Sequence, residues 1–323
     1  MPIGPMKAIL SSISKSLLIL MRGYGIFVGF IAVVIVLSIL EPRAFPTPKN
    51  LLNIVRQSSI HGVMAIGMTF VILTAGIDLS VGSLLALTGV LCASFEHAGL
   101  PVSSVVLLTL AAGAFMGFIN GFVITKGRVT PFVVTLGMMS VARGLAHIYT
   151  GGQPISGFGE SFRFIGAGVF LGVPIPIVMF LATVMIAAVV LKRTLLGRYT
   201  YAIGGNEQAV RLSGIDVDRY KTIAYVISGL TAALGAIILT ARLNAGETTA
   251  GKGYELDVIA SVVIGGTSLM GGRGGVWGTF IGALLIGTIN NGMNLLGISS
   301  YWQLVVRGSI IVGAVLLDRL REK

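Results

Sequence analysis

The sequence predicts an all-α, polytopic integral membrane protein, and its composition and hydropathy pattern are the observations that predict it. Hydrophobic residues make up 54% of the 323-residue chain and charged residues only 11%, whereas about a quarter of the residues in an average soluble domain are charged. The mean hydropathy is +0.93. Such a chain cannot cover a water-exposed surface with polar groups. The same composition excludes a disordered, collagen-like or coiled-coil protein.

Ten apolar stretches recur along the chain, and each is interpreted as a membrane span. In order, they cover residues 24–40, 60–75, 79–95, 102–125, 131–149, 169–191, 222–241, 258–269, 276–296 and 301–317. A helix needs about 20 residues to cross the hydrocarbon core. The stretches 60–75 and 258–269 are short, and each leads into a glycine-rich break. The runs lack the alternation of a transmembrane barrel.

The first apolar stretch is interpreted as a retained span rather than a signal peptide, because no small-x-small cleavage site follows it. Residues 1–23 are therefore predicted to form a cytoplasmic segment. Residues 24–318 are predicted to form a single transmembrane domain that carries a cytoplasmic loop at 192–221, and residues 319–323 a cytoplasmic tail.

The distribution of Lys and Arg predicts that both termini lie in the cytoplasm. With ten spans in that orientation, the inside segments hold 15 of the 23 basic residues and the outside loops hold 6. Basic loops concentrate on the cytoplasmic side of membrane proteins. The net charge of +11 is accordingly interpreted as a match to anionic membrane lipid. No nucleic-acid partner is expected, because the basic residues do not interleave with aromatic ones.

Two glycine-interrupted segments indicate a transport pathway. The run from Gly76 to Gly82 and the run from Gly266 to Gly272 share the pattern G-x-x-L-x-x-G. Corresponding broken segments mark the binding region of transporters built from repeats. The predicted pathway residues are Gly76, Asp78, Ser80, Gly82, Gly266, Thr267, Gly272, Asn290 and Asn294. Two alternatives stay open at this stage: Asp78 or Ser80 could only cap the next helix, and the asparagines could only join helices.

A second group of polar residues lies near the predicted outer ends of spans. Arg143 and Arg307 are each six residues from such an end, which places them about 9 Å deep. They are predicted to act at an outer gate, or else to snorkel or to clamp backbone carbonyls. Glu255 and Asp257 are predicted at the outer lip of the short span, where they meet a soluble partner or are simply solvated.

No catalytic or metal-binding constellation is present in the sequence. There is no phosphate-binding G-x-x-x-x-G-K-[ST] loop, no H-E-x-x-H and no G-x-S-x-G. Cys92 is the one cysteine and the three histidines are scattered. The sequence therefore predicts a non-catalytic chain without cofactor or metal. It also lacks a relay of intramembrane carboxylates, which counts against the alternative of an ion-gradient-driven secondary transporter of a small polar solute.

The loop at 192–221 is predicted to carry a two-turn helix. Asn206 is a suitable N-cap and Gly214 a suitable residue after the helix end. Ala209 and Leu212 share one face because they are three residues apart. Such a helix could fit a groove of a cytoplasmic partner, or it could be an ordinary solvated surface helix.

Four segments resemble the permease subunits of ribose-type, monosaccharide ATP-binding-cassette importers. They are GMTFVILTAGIDLSVGSLLALTG at 67–89, KGRVTPFVVTLGMMSVARGL at 126–145, LGRYTYAIGGNEQAVRLSGI at 196–215 and GYELDVIASVVIGGTSLMGGRGG at 253–275. The resemblance extends from about residue 41 to residue 317.

This resemblance implies a homodimer in the bacterial inner membrane, with the pathway at its two-fold axis. It also implies a cytoplasmic ATP-binding subunit and a periplasmic protein that delivers the monosaccharide, with ribose as the expected sugar. Permeases of such importers carry an E-A-A-x-x-x-G-type loop that docks on the ATPase. Glu207, Ala209 and Gly214 stand at similar places. Gln208 departs from that pattern, and the spacing to Gly214 is one residue longer.

Overall fold

The computed structural model describes residues 25–321, and helices dominate it. The helices are α1 Gly25–Leu40, α2 Pro48–Leu73, α3 Val81–His97, α4 Val102–Lys126, α5 Pro131–Thr150, α6 Glu160–Ala167, α7 Ile175–Arg193, α8 Leu195–Gly205, α9 Glu207–Leu212, α10 Val217–Leu243, α11 Tyr254–Ile264, α12 Val276–Leu295 and α13 Ser300–Arg321. Two short antiparallel ribbons complete the fold: β1 Ile155–Ser156 pairs with β4 Ala245–Gly246, and β2 Val169–Phe170 pairs with β3 Val173–Pro174.

The prediction of an all-α membrane protein is confirmed. Within residues 25–321, four helices are long and apolar enough to cross a membrane, namely α4, α5, α7 and α10, and α1 and α3 are shorter apolar helices. The predicted segment 1–23 lies outside the described residues, as do the last two residues of the predicted tail. Helix α13 continues through the first three residues of that tail.

Helix α10 is the central element, and α4, α2 and α3 pack around it. Its crossing with α4 is close because glycines face each other: a Cβ at Gly113 would overlap the carbonyl of Gly229, and a Cβ at Gly229 would overlap that of Gly113. One end of α10 lies beside α9 and the other beside α6. We call the first the α9 end and the second the α6 end.

Helix α2 begins twelve residues before the predicted stretch 60–75, so the predicted start is wrong, whereas the helix ends just before the predicted glycine-rich break. The helix begins at Pro48, where the hydroxyl of Thr47 accepts the N–H of Asn50 at 3.3 Å. Proline at the first position of a helix favours the helical backbone. Hydropathy misses these first turns because they carry polar residues such as Lys49 and Arg56.

The predicted span at 169–191 is also corrected, because its first six residues form the β2–β3 hairpin. Gly172 allows the tight turn with a φ of 81°. Pro174 precedes α7 as its N-cap. The hairpin is as apolar as the helix it leads into, so hydropathy does not separate the two.

The segment after α10, predicted as an outside loop, instead runs back along α3 into the bundle. Gly246 lies against Ala93 near the end of α3, and Gly251 lies against Gly82 at its start. These contacts are eleven residues of α3 apart, which is about 16 Å. We call residues 244–253 the re-entrant segment. The short helix α11 therefore begins inside the bundle, and it ends before the predicted limit of the span at residue 269.

Candidate functional site

A polar cavity of about 340 Å³ opens between α3, α5, the re-entrant segment and the start of α11. Its lining residues are Ser83, Met139, Ser140, Arg143, His147, Thr249, Lys252 and Glu255. Arg143 lies seven residues before the end of α5, which is about 10 Å along the helix. A polar cavity at this depth in an apolar bundle is a candidate pathway for a polar solute.

Arg143 holds the cavity wall together. Its guanidinium donates to the carbonyls of Thr248 at 2.6 Å, Ala250 at 2.8 Å and Gly82 at 3.2 Å. One side chain therefore joins the re-entrant segment to the start of α3. Of the interpretations open from the sequence, this geometry supports the carbonyl clamp rather than snorkelling.

Glu255 belongs to the same wall, and its carboxylate fits there because Gly82 has no side chain. A Cβ at Gly82 would overlap a carboxylate oxygen of Glu255 and the carbonyl of Gly251. Ser83, Ser140 and Glu255 thus supply hydroxyl and carboxylate groups that can exchange hydrogen bonds with the hydroxyls of a polar solute. Arg143 and Glu255 also place opposite charges on this wall.

The sequence contains a partial signal for the cavity residues other than the predicted Arg143 and Glu255. Ser140, Arg143 and His147 recur at the spacing of one helical face on α5, as neighbours at i, i+3 and i+7 do. Thr249 and Lys252 join them only because the re-entrant segment folds back. No local pattern at those two positions indicates this.

Asp78 is fully buried and braces the turn between α2 and α3. Its carboxylate accepts the backbone N–H of Ser80 at 3.0 Å and the hydroxyl of Ser228 at 2.8 Å. The hydroxyl of Ser80 accepts the side-chain amide of Asn120 at 3.0 Å. The Ser80 N–H lies at the start of α3, so its bond to Asp78 fits the capping interpretation, whereas the Ser80 side chain makes no capping bond. Asp78 also ties the turn to α10 through Ser228, and it does not line the cavity.

The two glycine-interrupted segments meet at the α9 end. The N–H of Gly272 donates to the carbonyl of Leu73, the last residue of α2, at 3.0 Å. Gly204 of α8 packs against both, since a Cβ there would overlap the Leu73 carbonyl and the Gly272 nitrogen. The two glycine-interrupted segments and the loop that carries α9 are therefore in direct contact.

The second broken segment is stabilised from within. Gly266 adopts a left-handed backbone with a φ of 86°. The buried hydroxyl of Thr267 accepts the N–H of Gly275 at 3.3 Å, at the start of α12. This geometry places Gly266, Thr267 and Gly272 far from the cavity beside Arg143, and it makes them part of the joint between α11, α12 and α8.

The remaining predicted residues join neighbouring helices. Asp257 is buried, and it pairs with Arg307 and with Asn290 of α12, both at 3.5 Å. The side-chain oxygen of Asn294 accepts the amide of Gln303 at 2.9 Å. These contacts support the interpretation of the asparagines as links between helices. Arg307 also lies beside Gly253 of the re-entrant segment, which contributes to the cavity wall.

Helix α9 matches the two-turn helix that the sequence predicts. The side chain of Asn206 accepts the N–H of Ala209 at 2.9 Å, and Gly214 follows the helix with a φ of 79°. Val210 is buried in a small core. Ala209 and Leu212 are exposed, and Leu212 is the more prominent at 89%. The helix therefore presents a small apolar contact surface.

Ion pairs fix α9 to the neighbouring helices. Glu207 pairs with Lys221 at 2.9 Å and with Arg211 at 3.2 Å. Arg211 pairs with Asp218 at 2.8 Å, and Asp218 pairs with Lys126 of α4 at 3.3 Å. Burial by itself raises the pKa of Glu207, but the hydrogen bonds and charges of Lys221 and Arg211 outweigh it and leave that pKa below its ordinary value. Glu207 is thus charged at neutral pH and faces its own chain.

Comparison with known proteins assigns the chain to a permease family. The family model described as "Branched-chain amino acid transport system / permease component" matches residues 50–315. The chain belongs to this family.

Among the described residues, no group of three or more His, Cys, Asp or Glu is arranged to hold a metal ion.

Similar proteins are named as sugar permeases. The ribose import permease of Bacillus subtilis (strain 168) is 52% identical over 94% of both chains, and that of Escherichia coli (strain K12) is 49% identical over 91% of this chain and 93% of its own. The D-allose transport system permease of Escherichia coli (strain K12) is 40% identical over 93% of this chain and 92% of its own. The resemblance to ribose-type importer permeases is confirmed. No solved structure matches the chain significantly.

Proposed function

We propose that this chain forms the membrane pathway of an ATP-driven importer for a monosaccharide, with ribose as its sugar. The observation that carries the sugar assignment is the graded similarity over nearly the whole chain: 52% identity to a ribose permease, against 40% to permeases for D-allose and L-arabinose. The chain is a multi-pass protein of the bacterial inner membrane.

The chain supplies no catalysis of its own in this proposal. A cytoplasmic ATP-binding subunit hydrolyses ATP, and a periplasmic sugar-binding protein delivers the sugar. Helix α9 is the contact with the ATPase, through Ala209 and Leu212. The remaining residues of the predicted coupling loop, Asn206, Glu207 and Gly214, shape and hold this helix.

The orientation follows from the same contact. An ATPase lies in the cytoplasm, so the α9 end is the cytoplasmic end and the α6 end is the periplasmic one. Ten spans with both termini in the cytoplasm agree with the excess of Lys and Arg in the segments assigned to the inside.

The cavity beside Arg143 supports a homodimer. Its rim carries exposed polar side chains, among them Ser140, His147 and Thr249, on a wall of α5 that is otherwise apolar. Polar groups at this depth are costly against lipid. A second copy of the chain that covers this wall would turn the open cavity into an enclosed path at the two-fold axis.

Transport then proceeds by alternating access. Closure of the ATPase moves α9, and the ion pairs from Glu207 and Arg211 transmit this movement to α10. The packing of Gly204 against Leu73 and Gly272 transmits it to both glycine-interrupted segments. Gly82, at the end of the first of these segments, and the re-entrant segment both border the cavity, so their shift opens and closes the path.

The test is sugar uptake into vesicles that contain this chain, its ATP-binding subunit and its binding protein. Uptake of labelled ribose should exceed that of allose and arabinose and should stop with vanadate, but it should continue when the proton gradient is collapsed. Uptake that persists under vanadate and ends with the gradient would support the ion-driven alternative.

A further inference from the structure

The β2–β3 hairpin at the α6 end exposes an apolar tip. Leu171 is 88% exposed, and Val169 and Phe170 are each more than half exposed. Phe164 of α6, just before the hairpin, is also exposed. A soluble surface would not concentrate large apolar side chains in this way without a partner.

The backbone conformation of the turn does not explain the leucine at position 171. Leu171 and Gly172 form its two central residues, with φ values of 50° and 81°. Hairpin turns with two positive φ values favour Asn-Gly, Asp-Gly or Gly-Gly. Leucine is a poor choice for the backbone at this position. Its presence at the most exposed point of the hairpin indicates that the apolar side chain makes a contact outside the chain.

The hairpin also meets the conditions for contact with hydrocarbon. Residues 164–191 contain no charged side chain. The ribbon pairs Val169 with Pro174 and Phe170 with Val173, and the N–H of Ile175 donates to the carbonyl of Gly168 at 3.0 Å. Backbone groups that enter a bilayer must be paired internally, and the ribbon pairs those that its two strands turn toward each other.

The exposed tip continues the lipid-facing surface of α7. Leu181, Met185 and Ile186 are exposed on that helix, which is one of the candidate membrane spans. The adjoining helix α6 is fixed to the bundle, because Arg56 donates to the carbonyl of Gly166 at 3.3 Å. The hairpin therefore connects α6, which is fixed to the bundle, with α7, whose exposed face is apolar.

We propose that the hairpin of residues 169–174 inserts its tip into the leaflet at the α6 end and anchors α6 and α7 at a fixed depth. Its partner is the lipid bilayer. The proposal requires only that the chain spans a membrane, and it does not depend on the sugar or on the ATPase.

Spin-label accessibility tests this proposal with a matched pair of leucines. Leu171→Cys and Leu212→Cys are made separately in a Cys92→Ala background, which removes the one native cysteine. The two leucines are almost equally exposed, at 88% and 89%. Each labelled full-length chain is reconstituted in vesicles of phosphatidylethanolamine and phosphatidylglycerol. Collision with oxygen, which partitions into lipid, is compared with collision with a water-soluble nickel complex.

The label at Leu171 should collide with the nickel complex several-fold less often than the label at Leu212, and with oxygen several-fold more often. Phe170→Cys supplies a second position if the turn does not tolerate the label, and it should give the same result. Equal nickel accessibility at Leu171 and Leu212 would overturn the proposal. So would a water-accessible tip that becomes protected when the periplasmic binding protein is added, because the hairpin would then serve a soluble partner.

Discussion

At the scale of single residues, Arg143 shows how one side chain can organise a cavity wall. Its three carbonyl partners come from α3 and from the re-entrant segment. A planar guanidinium can serve several acceptors at fixed angles, and an ammonium group cannot reproduce that arrangement. The positive charge is retained in a lysine variant, so such a variant isolates the geometry.

Arg143→Lys should therefore weaken the wall while keeping its charge. The loss of hydrogen bonds from a charged donor costs about 1.5–3 kcal/mol each at most, and we expect a lower unfolding temperature together with reduced sugar uptake. Thermal unfolding in detergent and vesicle uptake measure the two effects. Arg163→Lys, at an exposed position on α6, is the control and should change neither. Normal uptake in Arg143→Lys would show that the clamp is dispensable.

Asp78 is a second residue whose role can be separated by experiment. Asp78→Asn removes the negative charge that strengthens the bonds from Ser80 and Ser228, and it forces the Ser228 hydroxyl to accept instead of donate, so we expect a loss of about 1–3 kcal/mol of stability. Thermal unfolding of this variant should show the loss, and Glu160→Gln on the exposed start of α6 should not. An Asp78→Asn variant that keeps full stability but loses uptake would instead identify Asp78 as a pathway residue.

Glu207 makes the position of α9 sensitive to acid. Because its pKa lies below the ordinary value, its ion pairs stabilise the loop at every pH above that ordinary value of about 4.3, and the contribution is lost as the pH falls through the folded-state pKa. The side chain is 40% exposed, so the effect is that of a surface pair, about 0.2–1 kcal/mol.

Amide hydrogen exchange over residues 206–214 measures this effect. Glu207→Gln should accelerate exchange there at neutral pH, and it should remove the further loosening that the native loop shows in acid. Glu96→Gln, far away at the α6 end, is the control. Identical exchange in Glu207→Gln and the native chain would mean that the ion pairs of Glu207 do not hold the helix.

At the scale of elements, the joint between α8 and the two broken segments is the proposed route from α9 to the pathway. It depends on close backbone packing, which only glycine permits at Gly204. The next residue, Gly205, has open space around the position of a Cβ. This neighbouring pair provides a matched test within one turn of helix.

Gly204→Ala should disturb the joint because its methyl group has no room beside Leu73 and Gly272. We expect reduced stability and weaker coupling of ATP hydrolysis to uptake. Gly205→Ala should behave like the native chain. Both variants are compared by ATPase stimulation and sugar uptake in the same vesicles. Equal behaviour of the two variants would remove this joint from the route.

At the scale of the whole molecule, the face of α5 that borders the cavity is the predicted meeting surface of two copies. Ser140→Cys in a Cys92→Ala background should form disulfide cross-links between copies under mild oxidation. Ile186→Cys, on the exposed face of α7, should not. Gel electrophoresis of membranes reports both. Cross-links at residue 186 but not at 140 would place the two-fold axis on the opposite side of the molecule.

The sequence was sufficient for the features that depend on local patterns. The apolar spacing predicted the positions of most helices, and Asn206 with Gly214 marked both ends of α9. Polar first turns hid the start of α2, and an apolar hairpin was taken for part of α7. Both errors have one cause: hydropathy reports the environment of a side chain and not the conformation of its backbone.

The chain by itself determined that this is a helical membrane permease, because composition and motifs persist whatever the packing. Only the tertiary structure decided which polar residues act together. Arg143 meets Thr248 and Ala250 because the re-entrant segment folds back along α3, and Asp257 is separated from Glu255 because α11 turns their side chains to different neighbours. Contacts between residues a hundred positions apart depend on how helices pack, and no local spacing encodes that.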